Sequence, residues 1–99
     1  ILRSLGVNIN TVPVLDKQYK FTNNYLKNRV YSSKVKTINS LAKICIDTYK
    51  KNKISTVIKH IPGHGLAKSD SHKKLPVITK NTGFLFKNDA AIIQTLDDK

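Results

Sequence analysis

Between residues 59 and 72 the sequence gathers the side chains best able to do chemistry: Lys59, His60, His64, Asp70 and His72, including all three histidines of the chain. An imidazole, with an unperturbed pKa of about 6.5, suits proton transfer near neutrality. Asp70 and His72 are separated by Ser71, and in an extended segment residues i and i+2 project to the same side. The carboxylate is then expected to hold one imidazole nitrogen, fixing the tautomer and raising the basicity of the ring, while the other nitrogen stays free to move a proton. Lys59 and His60 offer a cation and an imidazole to sugar hydroxyls or to a carbonyl. Gly63 and Gly65 flank His64 behind Pro62, a composition that favours a rigid turn with positive φ or a close backbone approach. A single Asp-x-His is common among solvated loop residues; the company it keeps makes this one a candidate. Metal binding is a competing reading, since His60 and His64 have the spacing that joins ligands on a helix. Pro62 and the two glycines oppose a helix there, no cysteine is near, and Asp70 is the sole carboxylate close along the chain. The expectation is no metal and no cofactor.

Such a site needs elements that fix it. Residues 6–15 interleave Val7, Ile9, Val12 and Val14 with small polar residues and read as a strand, interrupted by Pro13 and ending in a loop at Asp16. Residues 17–35 are polar with few apolar anchors, and Asn23-Asn24 is a turn signal, so a long surface loop is expected. Over 36–52, Ile38, Leu41, Ala42, Cys45 and Tyr49 recur at helical spacing, which predicts a helix stopped at Asn52, with Cys45 a small core residue on its buried stripe. Residues 54–58 form a β-branched run, the length of one buried strand, that feeds directly into 59–65. Ligands of parallel α/β folds bind beyond the carboxyl ends of the strands, where this cluster falls. A polar loop over 66–74 and a brief apolar stop at 75–78 follow, and Ala90, Ile92, Ile93 and Leu96 predict a second helix over 89–96. The order strand, loop, helix, strand, loop, helix implies parallel strands with helical crossovers, an α/β class. Ninety-nine residues suit one small unit, well short of the roughly 200 or more that a closed barrel of eight strands needs.

The charge balance is unusual, at a formal +12, and only Arg3 and Arg29 are arginine. Such a charge raises nucleic acid or an anionic membrane as partner. The lysines are scattered singly and in pairs, however, and arginine, whose fork suits phosphate clamping and base readout, is nearly absent. A solvated basic surface is the expectation, with no nucleic acid and no membrane as partner. The single cysteine excludes an internal disulfide and fits a reducing compartment. No run is apolar for long enough to span a bilayer and no signal peptide is visible; the cytoplasmic location expected is the one implied by the family resemblance described next.

Taken jointly, LRSLGVNIN and PVLD, then KHIPGHG, then DSH and LPV, resemble the bacterial family 3 β-N-acetylglucosaminidases over roughly residues 2 to 78. That family shows a similar strand ending in PVLD, an Asp-Arg-Ser-Phe element, KHFPGHG, and an Asp-Ser-His triplet before LPV. The resemblance implies that residues 1–99 are part of a catalytic (β/α)₈ TIM-type barrel, about two βα units of it. It implies a retaining mechanism with a covalent glycosyl-enzyme intermediate, in which His72 is the general acid/base and Asp70 its partner. Lys59 and His60 would grip the hydroxyls of N-acetylglucosamine, Arg29 would hold the same sugar, and Gly63, His64 and Gly65 would shape the turn. Around Arg29 the sequence reads Asn28-Arg29-Val30-Tyr31, which departs from the family's element. The family's nucleophile is an aspartate on a later strand, a role that Asp97 and Asp98 do not match. The substrate implied is an N-acetylglucosamine-containing saccharide such as a cell-wall muropeptide, with the 99 residues alone inert and the missing part of the barrel, where another polypeptide carries it, as a partner. A small basic binding module for nucleic acid or anionic surfaces, and a metal-dependent hydrolase, are the alternatives.

Overall fold

The structure, a computed structural model, describes residues 1–61 and 63–93. At its centre β1 (Ile9–Asn10) pairs in parallel with β2 (Ser55–Thr56), Ile9 opposite Ser55 and Asn10 opposite Thr56. A further parallel bridge joins Val14 to Lys59, so the two segments run side by side toward Asp16 and His60. The strand expected over 6–15 is thus regular for two residues only, because Pro13 has no amide to give to a ladder. A 3₁₀ turn, Arg3–Leu5, precedes it.

Residues 17–35 are the long loop expected for most of their length, interrupted by one short helix. They contain α1 (Asn24–Lys27), capped by the Asn23 side chain, which accepts the Tyr25 amide at 3.0 Å. The Asn23-Asn24 pair is therefore an N-cap and a first helical residue rather than a turn. Leu26 is buried beneath it. Thr22 Oγ1 donates to the Gly65 carbonyl at 2.8 Å and Asn23 Nδ2 to the Lys68 carbonyl at 3.3 Å, lacing this stretch onto the segment that bears the histidines.

The long helix is α2 (Val35–Lys51), close to the expected 36–52. Ile38 and Ala42 are wholly buried and join Leu15 and Ile92 in the core, with Val35, Ile58 and Ile93 packed against them. Leu41, expected on the same stripe, is exposed, since it lies about 100° round the helix from Ala42. Cys45 is half-buried at the stripe's edge rather than within it. Burial and a hydrogen bond with Cys45 push the Tyr31 hydroxyl up to about 12. The helix stops at Asn52 as its sequence predicts. The Ile54 amide reaches the Tyr49 carbonyl and the Lys53 amide the Lys50 carbonyl, both at 3.0 Å, a Schellman arrangement that holds Lys53 at φ 57°.

The last helical segment begins earlier than residue 89. Asn81 Oδ1 accepts the Phe84 amide at 2.9 Å and starts α3 (Thr82–Leu85), which runs through a wider π-helical turn, Phe86–Ala90, into helical residues 91–93. Residues 94–96 of the expected helix lie outside the described residues, as do Asp97 and Asp98.

Asn10 Nδ2 donates to the Tyr49 hydroxyl at 3.0 Å, so alternate strand residues face α2. On the opposite face Ile9 and Val57 are 57% and 50% exposed, and among the described residues neither strand has a second strand partner. No described helix is long and apolar enough to cross a membrane.

Candidate active site

Where the paired segments end, Asp16 and His60 meet. The Asp16 carboxylate is 1% exposed, and its Oδ2 accepts from His60 Nδ1 at 2.7 Å and from the His60 backbone amide at 3.2 Å. Buried carboxylates survive when they are paired in this way. Its second oxygen, Oδ1, is buried without a hydrogen-bond partner among the described residues. In the sequence Asp16 reads only as the end of a strand, and its place at the close of PVLD is the available signal. Lys59, one residue before His60, turns its ammonium to Thr11 Oγ1 at 3.1 Å and makes no described contact with the histidines.

The His60 ring lies beside that of His64, with centroids 4.8 Å apart. Burial, and then the neighbouring His60, hold the His64 imidazole below its ordinary value of 6.5. The two glycines beside it serve different ends. Gly63 adopts φ 76°, in the left-handed region, whereas Gly65 is needed for space, since a Cβ there would overlap the Lys17 carbonyl. Behind this turn the Tyr19 hydroxyl donates to Asp89 Oδ2 at 3.0 Å, and burial raises the pKa of both groups.

Asp70 and His72 do come together, but not by the extended geometry expected. The chain turns here: the amides of Lys73 and Lys74 both reach the Asp70 carbonyl at 3.0 Å. Within the turn Asp70 Oδ1 accepts the His72 amide and His72 Nδ1, each at 2.9 Å. Asp side chains favour such local bonds to the backbone two residues on. These two bonds hold the Asp70 carboxyl below the usual carboxylate range, so it is ionised and accepts only. Nδ1–H of His72 is then the donor, and Nε2 is left facing solvent on a side chain 78% exposed.

Tyr25, on α1, stands between the two loops. Its ring is edge-on to His64, with centroids 6.1 Å apart at 75°, and to His72, at 6.0 Å and 89°. The Arg29 guanidinium lies over the Tyr25 ring at 5.4 Å, which brings Arg29 to the cluster although it touches neither Lys59 nor His60. Nothing in the polar run 17–35 marked Tyr25 beforehand. Of the expected site residues, the structure assembles His60, His64, Asp70, His72 and Arg29 around Asp16 and Tyr25, with Lys59 at the rim. Among the described residues no group of three or more His, Cys, Asp or Glu is arranged to hold a metal ion.

The arrangement, at the carboxyl end of parallel strands, is that of an α/β ligand site with a tied and partly exposed imidazole. Residues 2–97 match the glycosyl hydrolase family 3 N terminal domain, and the chain belongs to that family. A β-hexosaminidase of Bordetella avium is 32% identical over 98 residues, covering 99% of this chain and 28% of that protein. Among solved structures, zinc-bound CbsA from Thermotoga neapolitana superposes with a TM-score of 0.91 at 26% identity, over 99% of this chain and 21% of that one. NagZ from Neisseria gonorrhoeae in complex with N-trifluoroacetyl-D-glucosamine gives 0.88 at 26% identity, over 96% of this chain and 28% of that one. The chain therefore spans between about a fifth and little more than a quarter of the length of these relatives.

Proposed function

We propose that this chain is part of the catalytic barrel of a retaining β-N-acetylhexosaminidase, about two βα units of it, and that it supplies the acid/base and part of the sugar-binding site. The observation that carries the reading is the Asp70–His72 pair, with one imidazole nitrogen tied at 2.9 Å and the other open. In the first step a carboxylate elsewhere in the barrel attacks the anomeric carbon while His72 Nε2–H protonates the departing glycosidic oxygen. In the second step the neutral Nε2 takes a proton from water, whose oxygen displaces the carboxylate and restores the free enzyme. Asp70 stays ionised throughout and stabilises the imidazolium present before the first step and re-formed in the second. His60, oriented by Asp16, together with Lys59 and Arg29, binds the hydroxyls of the N-acetylglucosamine ring. The N-acetylglucosamine analogue bound by the Neisseria relative supports that substrate class.

The barrel reading draws support from the sheet itself. Strands with a single neighbour, and with Ile9 and Val57 half exposed on the face away from α2, have the outline of a barrel wall whose interior layer is filled by other strands. A cytoplasmic enzyme acting on cell-wall muropeptides is the setting the family resemblance suggests.

The test is hydrolysis of a chromogenic β-N-acetylglucosaminide. The natural full-length polypeptide carrying these residues is expected to turn it over, and residues 1–99 alone are expected to be inert, because a retaining enzyme needs its second carboxylate about 5–5.5 Å from the first group in the usual case. Turnover by residues 1–99 alone, abolished by His72→Ala, would overturn the division of labour proposed here.

A further inference from the structure

We propose that Tyr25 is a positioning residue that fixes the plane of the His72 imidazole and couples it to the turn carrying His60 and His64; the assignment rests on the hydrolase reading above. Among the described residues the His72 ring meets two partners, Asp70 and Tyr25. The Asp70 bond holds Nδ1 but leaves the ring free to pivot about that contact. A perpendicular aromatic neighbour, at 6.0 Å and 89°, biases the pivot toward one plane, because aromatic rings favour edge-to-face packing at this separation. With the plane set, Nε2 points in one direction, and a proton donor works only when aimed at the leaving oxygen.

Tyr25 is itself well anchored. Its amide is held by Asn23 Oδ1 at 3.0 Å, and its neighbour Leu26 is 1% exposed, so the short helix is pinned from both the cap and the interior. The Arg29 guanidinium lies over its ring at 5.4 Å. Asn23 also donates to the Lys68 carbonyl at 3.3 Å, two residues before Asp70, so ring and acid/base loop are set in one frame. The other edge of Tyr25 serves His64, with its hydroxyl 3.5 Å from Nε2. One side chain thus spans the sugar-gripping turn and the proton-transfer turn.

The experiment compares wild type, Tyr25→Phe and Tyr25→Leu in the natural full-length polypeptide, measuring kcat and KM with a β-N-acetylglucosaminide and recording NMR spectra with histidine rings labelled. Tyr25→Leu is expected to lower kcat roughly fivefold to tenfold, with a smaller rise in KM from the loosened His64 and Arg29 contacts. Tyr25→Phe, which keeps the ring, is expected to recover kcat. Cross-peaks between the ring protons of residue 25 and His72 are expected in wild type and Tyr25→Phe. Wild-type kcat in Tyr25→Leu, or no such cross-peaks in an active wild type, overturns the assignment while leaving the hydrolase reading intact. If Tyr25→Leu fails to fold, the cross-peaks in the other two proteins decide. A wild type with no hydrolytic activity defeats the hydrolase reading, and this role with it.

Discussion

A proton donor that must act on a leaving oxygen and later on water needs one nitrogen held and the other open, and His72 has that disposition. Its partner Asp70 is held ionised by the bonds it accepts, not by burial. His64 is in the opposite situation, since burial and the nearby His60 disfavour its charged form. The sign of the linkage follows. A histidine whose folded pKa lies below its unfolded value of 6.5 contributes stability that is present above that value and is lost as pH falls toward the folded one. Urea unfolding at pH 7.5 and pH 5.5 is expected to show a smaller loss of stability on acidification for His64→Gln than for wild type; equal losses would contradict the account. At this scale the sequence showed the reactive types well, since three histidines and an aspartate in one short stretch are visible without coordinates. It hid Asp16 and Tyr25, because their importance comes from what lies opposite them: His60 is 44 positions from Asp16 and His64 is 39 positions from Tyr25.

At the scale of elements, two local rules conflict with their residues or depend on them closely. The C-terminal cap of α2 places Lys53 at φ 57°, a conformation that costs a non-glycine residue about 1–2 kcal/mol. Allowing for the greater chain entropy of glycine, Lys53→Gly is expected to raise stability by about 0.5–1 kcal/mol, read as an increase in the urea midpoint at unchanged slope. Gly65 is the reverse case. A Cβ there would overlap the Lys17 carbonyl, which is backbone and cannot swing aside, so Gly65→Ala is expected to destabilise by about 1–3 kcal/mol and to displace the histidine turn. Unfolding midpoints test both. The helix over 36–52 was legible because five apolar residues repeat at its period, and Asn52 was legible as its stop. The expected 6–15 strand shrank because Pro13 breaks the ladder, and α1 was missed because a four-residue helix has too few positions to show a period. The Asp-Ser-His segment was read as extended, yet the aspartate side chain competes for the backbone and closes a turn.

For the whole molecule, the α/β class was legible from alternation, and the shortage of strands from length. The radius of gyration is 14.3 Å, above the roughly 13 Å of a compact chain of 100 residues. The extents of 42 × 33 × 18 Å describe a slab with α2 on one side of two strands. Its other side bears Ile9 and Val57, both half exposed, and in the function proposed above this side is the inner wall of a larger barrel. In the proposed mechanism His72 protonates the leaving oxygen within such a barrel. The most direct measurement is the rate of His72→Ala in the natural full-length polypeptide across β-N-acetylglucosaminides of increasing leaving-group pKa. General acid catalysis of this kind is worth about 10²–10⁴-fold. The account predicts a loss of that size for an alkyl glycoside or disaccharide and a much smaller one for a dinitrophenyl glycoside, whose leaving group needs no proton. An equal loss across the series, or wild-type rates throughout, would contradict it.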